Sequence, residues 1–524
     1  MKHILITTIA AVVLVGCGPS VDIWTGAQTG NIEAVKQHLA DGVDVSQPIV
    51  CCRLNAVRVR FPSLAPLFST SSLSLDVKGN FFMRTFIFIF VWVQVGIFCV
   101  NKSLADWPQF RGPVGNGHIG KLNHPVKWSM NQNLAWSQPI PGGGWSSPII
   151  AGKRVFVTTA VDSKNTKPLG HSGGVRNMRG KKPTEPFEFK LFCLSIEDGS
   201  VLWKKSLAQE QPKYAIHPSN TYSTESPVTD GEHVYCYFAA IGKVASVDLE
   251  GQLVWAANVG AFPSGNGFGT GSSLTLREDK LYLQCDNARN SFVVAFDTAT
   301  GKEIWKRKRS SSTSWSSPFI WKNNKRTDLV ICGSGTVTGY DPSTGETNWR
   351  LTNVRSAFTA SPASNEQQIF LGNSGPMSQG PLLAIGSEIE GESSLDISKL
   401  PKGVIWAIQR GGPGMASPVV SGDHLYVCSR GFLSCHNTKT GERVYKSRLP
   451  SSKSIAASMW ADNKHVFLID ESGNTFVIQL GSEFKILAEN QLDDLFWSTP
   501  AVSNGVLLLR GANNLYCIRE KIVE

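Results

Sequence analysis

Residues 295–305 read Ala-Phe-Asp-Thr-Ala-Thr-Gly-Lys-Glu-Ile-Trp, and this stretch decides the fold because its frame recurs along the chain. The same frame recurs at 339–349 (Gly-Tyr-Asp-Pro-Ser-Thr-Gly-Glu-Thr-Asn-Trp) and at 435–445 (Cys-His-Asn-Thr-Lys-Thr-Gly-Glu-Arg-Val-Tyr). Residues 193–203 fit with a serine in the Asp slot, and 247–255 fit with a turn one residue shorter. Self-similarity of this kind is the signature of a repeat architecture.

The chemistry of the frame predicts a β-hairpin. An Asp or Asn before a Thr-Gly turn can accept hydrogen bonds from the backbone of the bend, and the Gly supplies a positive φ. The residue ten positions before the aromatic is small in each full-length copy, which predicts a ring packed against a neighbouring repeat. The repeat tryptophans are Trp203, Trp255, Trp305 and Trp349, and Trp136 occupies the same slot upstream.

A second element, similar to Ser-Ser-Pro, opens each repeat before an apolar hairpin. The openings lie at Pro148, Pro227, Pro318, Pro362, Pro418 and Pro500, with Ser273 and Met459 in place of Pro. Their spacing is 41–46 residues except where loops are inserted after the first and fifth openings. Eight openings, each with one four-stranded antiparallel sheet, predict an all-β protein with an eight-bladed β-propeller over 134–524.

The last repeat lacks its outer strand, because the chain ends shortly after Cys517. The segment Leu134–Ile140 has the missing pattern, including Trp136. We therefore predict that this N-terminal strand completes the eighth blade and so protects two sheet edges.

The region before the propeller carries two export-like signals. Residues 1–17 resemble a lipoprotein signal peptide that ends in a lipobox, whose Cys17 would be lipidated. Residues 83–105 form a second signal-like apolar segment that ends at a small-residue cleavage site before Asp106. Either two reading frames are fused, or Met83 is the true start, or the apolar run 86–100 is a short membrane anchor.

Between the two signals, 22–47 resembles a single ankyrin repeat, and 48–82 is predicted to be an unstructured linker. Ankyrin units need neighbours to bury their faces, so this fragment is a truncated remnant or, as the alternative, a small helical cap. An extended lead-in is predicted over 106–133, ahead of the propeller.

The net charge of +10 raises the question of an anionic partner. The segment 161–190 contains seven Lys and Arg residues against three Asp and Glu residues. No aromatic platform or nucleic-acid motif accompanies it in the sequence, so we interpret it as a solvated basic loop and expect no nucleic-acid partner.

Cysteine and histidine patterns exclude several kinds of site. The seven propeller cysteines form neither CxxC nor CxxCH, so no zinc ribbon and no attached c-type haem is encoded, and we expect them to be small buried hydrophobes. His118, His171 and His217 lie in polar loops without metal-ligand spacing and are interpreted as solvated. The run 265–269, rich in Gly, is predicted to be a flexible loop.

The repeated frame and the eight openings resemble the pyrroloquinoline-quinone-like (PQQ-like) propeller family, over about 107–524. The stretch 106–113 (Asp-Trp-Pro-Gln-Phe-Arg-Gly-Pro) also resembles the mature start of exported planctomycete-type propellers. The resemblance implies one of two functions. One branch holds quinoprotein alcohol or sugar dehydrogenases with PQQ and calcium on the axis. The other has no cofactor and includes the propeller lipoprotein of outer-membrane β-barrel assembly.

A quinone site needs oxygen ligands for Ca²⁺ and a carboxylate base. The adjacent Cys51-Cys52 pair lies outside the propeller, and Asp286-Asn287 and Glu225 are interpreted as hydrogen-bonding structural residues. We therefore assign no catalytic, cofactor-binding or metal-binding residue and expect no cofactor. The sequence favours a monomeric, non-catalytic propeller exported to the periplasm or outer envelope. It would be membrane-associated through a lipid anchor or an uncleaved signal, and would bind envelope proteins or a polymer. The alternative is a dehydrogenase that uses PQQ and calcium.

Overall fold

A computed structural model describes residues 107–120, 124–171, 179–355, 357–375 and 379–520. The predicted lipidation site Cys17, both signal-like segments, the ankyrin-like fragment and the linker lie outside the described residues. All described residues belong to one compact unit of the chain. Among them, no helix has the length and apolar character that a membrane span requires.

The described residues form eight sheets, each built on four antiparallel strands, which confirms the predicted all-β, eight-bladed propeller. Each blade runs from an innermost to an outermost strand. The first four blades contain the following strands: blade one, β2 (Ile149–Ala151), β3 (Arg154–Val161), β4 (Phe187–Ser195) and β5 (Val201–Glu210); blade two, β6 (Val228–Thr229), β7 (His233–Phe238), β8 (Lys243–Asp248) and β9 (Leu253–Asn258); blade three, β10 (Thr275–Arg277), β11 (Lys280–Cys285), β12 (Phe292–Asp297) and β13 (Glu303–Lys308); blade four, β14 (Phe319–Lys322), β15 (Thr327–Gly333), β16 (Gly335–Tyr340) and β17 (Thr347–Val354).

The remaining strands complete blades five to eight: blade five, β18 (Ala363–Ser364), β19 (Gln368–Ser374), β20 (Gln379–Gly386) and β22 (Val404–Ile408); blade six, β23 (Val419–Ser421), β24 (His424–Ser429), β25 (Phe432–Asn437) and β26 (Arg443–Arg448); blade seven, β27 (Trp460–Ala461), β28 (His465–Ile469), β29 (Asn474–Gln479) and β30 (Ile486–Gln491); blade eight, β31 (Ala501–Ser503), β32 (Val506–Arg510), β33 (Asn514–Ile518) and β1 (Leu134–Pro139). The strand β21 (Gly391–Ser394) lies outside this four-strand scheme.

The N-terminal strand closes the ring, as predicted. Strand β1 pairs antiparallel with β33, and Trp136 lies opposite Cys517 in the register. Because β1 covers the outer edge of β33, blade eight has the same four strands as most other blades.

The two inserted loops lie within blades one and five. In blade five the insertion between β20 and β22 contributes β21, which pairs in parallel with β17 and gives blade four a fifth strand. The sequence did not predict this strand, because its residues carry no strand-like alternation and mostly remain exposed.

A ring of buried hydroxyls holds the innermost strands together. At seven blade junctions the backbone N–H of one opening residue donates to the hydroxyl of its counterpart in the next blade. The members are Ser147, Ser226, Ser273, Ser317, Ser361, Ser417, Ser458 and Thr499. Ser273 therefore occupies the serine slot, and the earlier assignment of Ser273 to the proline slot is wrong, since Leu274 fills that slot.

The repeat tryptophans pack across blade junctions. Trp203 lies against Gly251 of the next blade, where a Cβ would lie 3.0 Å from the ring, and its Nε1 donates to the Leu249 carbonyl at 2.8 Å. Trp136, Trp255 and Trp305 have the same arrangement. Trp349 differs from these tryptophans. In blade five the insertion replaces the Thr-Gly turn on which its ring would pack, so Trp349 lies over Gly339 of its own blade.

Residues 107–120, here called the strap, cross the propeller axis. They lie at the end where each innermost strand leads into the second strand of its blade. The strap touches seven blades in succession: Trp107 with Ile150, Pro108 with Thr229, Gln109 with Leu276, Gly115 beside Phe319, Asn116 with Ser364, Arg111 with Pro418, and Ile119 with Ala461. The buried guanidinium of Arg111 also donates to the Pro362 carbonyl at 2.5 Å. Burial lowers the pKa of Arg111 to about 9, so it stays charged at neutral pH.

Candidate functional site

The side of the propeller opposite the strap is called the loop face, because the chain enters each innermost strand there. Five rings from five separate loops form a continuous aromatic row on this face. Neighbouring ring centroids lie 5.6–6.3 Å apart. In spatial order the row contains Trp497, His171, His217, Phe268 and Trp315.

Two members of the row come from the repeat itself. Trp315 and Trp497 each lie three residues before the proline that opens a blade, a position that points the ring to the loop face. Trp145 has the same position in blade one and stacks on Trp497 at a centroid distance of 6.0 Å. The Trp315 Nε1 donates to the Gly269 carbonyl at 2.8 Å, which fixes the ring. Trp145 and Trp315 each begin a Trp-Ser-Ser-Pro motif, and Trp497 begins a Trp-Ser-Thr-Pro motif. The motif marked the openings of the repeats in the sequence, but its tryptophan was not predicted to be part of a site.

The interpretation of His217 as solvated is wrong, whereas His118 and His171 are half-buried. His217 is 6% exposed, and its Nδ1 lies 2.7 Å from the Ser219 hydroxyl. The backbone N–H of His171 donates to Glu471 Oε2 at 2.8 Å. His118 belongs to the strap, and partial burial lowers its pKa. The loops of a propeller converge on its axis, so a residue in a polar loop can still be covered.

Asp286 and Arg309, which follow β11 and β13 of blade three, form a buried ion pair. Arg309 Nε donates to Asp286 Oδ1 at 2.8 Å, and the two side chains are 2% and 0% exposed. Burial opposes the charge of Arg309, but Asp286 and Tyr340 outweigh it and raise the pKa of the guanidinium. Gln284 and Ser311 also donate to Asp286 Oδ2, at 2.9 and 3.0 Å. Both carboxylate oxygens of Asp286 are therefore engaged by protein groups.

Glu225 lies in a small cavity beside this pair. Its side chain is 1% exposed, and among the described residues neither carboxyl oxygen has a hydrogen-bond partner. Burial raises the pKa of the Glu225 carboxyl to about 7. Thr270 and nearby backbone amides oppose this rise in pKa, but they do not lie in hydrogen-bonding geometry. The interpretation of Glu225 as a hydrogen-bonding residue is therefore wrong for its side chain, whereas Asn287 has that role, through its contacts with Asn290.

The cavity brings together candidates that the sequence considered separately. Its lining includes Ser272, Gln284, Asp286 and Asn287 beside Glu225. The run 265–269, predicted to be a flexible loop, borders it, and Gly265–Gly267 form a short 3-10 turn there. The space measures about 20 Å³, which is room for about one water molecule.

These residues do not fit a quinone cofactor with its calcium ion. The space is too small for a fused aromatic ring system, and the carboxylate of Asp286 is already neutralised by Arg309. In the part of the chain that the structure describes, no three His, Cys, Asp or Glu side chains are placed to hold a metal ion.

Eight four-stranded units closed by an N-terminal strand define this chain as a β-propeller. A family model described as outer membrane protein assembly factor BamB matches residues 127–318 and 270–483. These matches cover more than half of the chain, which therefore belongs to that family. No curated protein sequence matches it significantly.

Solved structures share the fold at low identity. The quinohemoprotein alcohol dehydrogenase from Comamonas testosteroni is 11% identical with a TM-score of 0.53, over 82% of this chain and 83% of that one. BamB from Moraxella catarrhalis is 12% identical with a TM-score of 0.45, over 70% and 97%. At such identities the likeness concerns the fold alone.

Proposed function

We propose that this chain is a non-catalytic propeller of the cell envelope that binds protein partners as a scaffold. The observation that carries the proposal is the Asp286–Arg309 pair. A carboxylate that served as a base or a calcium ligand would need free oxygen lone pairs, but four donor groups already occupy both oxygens of Asp286. Membership of a family described by an assembly factor, together with the two export-like signals, favours an envelope location.

The scaffold proposal also agrees with the strap, which covers one end of the axis and contacts seven of the eight blades. Partners would then bind elsewhere on the ring, and the loop face offers the most varied side chains.

A reconstitution experiment tests this proposal. The purified full-length protein is incubated with PQQ and Ca²⁺, and oxidation of alcohols and aldoses is measured with an artificial electron acceptor. We expect neither turnover nor saturable quenching of tryptophan fluorescence by PQQ. Turnover that disappears in a Glu225→Gln or Asp286→Asn variant would instead establish the alternative, a PQQ-dependent dehydrogenase.

A further inference from the structure

Four exposed basic residues, the basic patch, lie next to the aromatic row. The patch consists of Arg179, Lys181, Lys182 and Lys213. Its position is fixed by close backbone packing of Gly180 on Ile216, the residue before His217. The backbone between Arg179 and Lys181 therefore lies beside the residue that precedes His217.

The positive charge of the patch is not balanced locally. Among the described residues, none of the four side chains is in an ion pair. The nearby carboxylate of Glu185 accepts instead from the Ser163 hydroxyl at 2.7 Å. Four uncompensated cations on one surface attract an anionic group and accelerate its encounter with the protein.

The aromatic row supplies the aromatic platform that was not visible in the sequence. An anionic partner was set aside because no aromatic platform accompanies the basic segment. The structure assembles such a platform from loops that are distant in sequence. Phe268 is 38% exposed and is the most accessible ring of the row. Exposed aromatic side chains are typical of the surfaces that proteins use to bind partners, and a polar rim surrounds them.

We propose that the basic patch and the aromatic row together bind an extended acidic segment of a partner protein, with aromatic side chains between its carboxylates. The carboxylates would pair with Lys181, Lys182 and Lys213, and the aromatic side chains would pack on Phe268 and its neighbours. The inference rests on the proposed scaffold function, since it names the chemistry of the partner.

The packing of the rings favours a peptide over a glycan or a single-stranded nucleic acid. Those ligands stack flat rings on open aromatic faces. Here His217 lies between His171 and Phe268, at 6.3 and 5.6 Å, so each neighbour covers part of its face. A peptide can use ring edges and lysines together, because its side chains project in several directions.

The test uses the full-length protein and a fluorescent peptide of alternating glutamate and phenylalanine. We expect binding that weakens steeply with salt, because exposed charges are screened over about 10 Å at 0.1 M ionic strength. The variant K181E/K182E should bind about tenfold more weakly. The variant Phe268→Ala should lose about threefold to tenfold, which corresponds to one aromatic contact.

Matched controls separate the site from general charge effects. Lys302→Glu changes an exposed lysine on the opposite face and should leave peptide binding unchanged. A peptide with glutamine in place of glutamate should bind weakly or not at all. Equal binding of the glutamine peptide, or equal affinity of K181E/K182E and the unmodified protein, would overturn the proposal.

Ligands of other classes complete the test. Polygalacturonate and oligo-dT are titrated under the same conditions, and tighter patch-dependent binding of either would also overturn the proposal. Failure of the peptide to bind, together with no turnover in the PQQ assay, would refute this site and leave the scaffold function standing. Turnover with PQQ would refute the scaffold function whatever the peptide does.

Discussion

Trp305 on the outermost strand of blade three lies so close to Gly345 in blade four that a Cβ at Gly345 would lie 2.5 Å from its ring. The Nε1 of Trp305 donates to the Pro342 carbonyl at 3.0 Å, and Gly345 has a φ of +71°. Any side chain at this position would therefore meet two obstacles, the ring and the backbone conformation.

This relationship predicts a large loss of stability in Gly345→Ala. The left-handed backbone costs about 1–2 kcal/mol with a Cβ, and displacement of the ring adds about 1–3 kcal/mol. Denaturant unfolding should show the full loss. Gly422→Ala is the matched control, because Gly422 has a φ of +57° and nothing within 4 Å of its Cβ position. Equal losses in both variants would show that the ring contact contributes nothing.

Closure of the ring predicts a sharp difference between two truncated chains. A chain that begins at Asn133 lacks the strap and the buried Trp128, whereas one that begins at Gly142 lacks β1 as well. Full burial of a tryptophan contributes on the order of 3 kcal/mol and the half-buried Trp136 less, but whole domains are stable by only about 5–15 kcal/mol. We expect the shorter chain to melt at a much lower temperature and to aggregate through its open edges. Equal melting temperatures would contradict the assigned role of β1.

The buried carboxyl of Glu225 predicts a dependence of stability on pH. Its pKa is raised to about 7 in the folded state from 4.5, so the folded protein retains a proton that the unfolded chain releases between these values. The free energy of unfolding should therefore fall as pH rises through this window, by about 3 kcal/mol in total. Glu225→Gln should remove this fall and be more stable at pH 8. A variant with the same pH profile as the unmodified protein would refute the assignment.

The Asp286–Arg309 pair predicts strong coupling in a double-mutant cycle. Asp286→Asn or Arg309→Gln alone leaves a buried charge without its partner, which costs about 3–5 kcal/mol. The double variant should lose much less than the sum of the single losses, because no charge remains buried. Chemical denaturation of the four proteins measures the coupling, and additive losses would argue against a close pair.

The export signals predict the mature N-terminus. We expect the protein purified from cells to begin either at a lipidated Cys17 or at Asp106, and mass spectrometry of the N-terminal peptide distinguishes the two. An unprocessed Met1 in a cytoplasmic fraction would contradict both.

The repeat made the fold predictable from sequence, because small residues, turn residues and aromatics recur at fixed spacing. Asp297 accepts from the Thr300 backbone within its turn, as the frame predicts. Trp406 was missed because the insertion in blade five shifts it out of the frame, although it packs on Gly441 like the other repeat tryptophans.

The candidate site was far less predictable than the fold. His171 and His217 belong to different loops, and only the circular arrangement of the blades brings their rings to 6.3 Å. The same holds for Glu225 and Asp286, which come from different blades and face one cavity. Local patterning reports which face of a strand is buried, but it contains no information on which loops meet over the axis.

The pairing of β1 with β33 has a consequence for how the protein is made. Leu134 and Ile518, which pair in the closed ring, lie at opposite ends of the propeller sequence. Contacts of such high sequence separation carry a large loop-closure entropy and slow the folding reaction. During synthesis β1 must remain without its partner until β33 has been added. We therefore expect the unpaired edge of β1 to expose the nascent chain to aggregation until the ring closes.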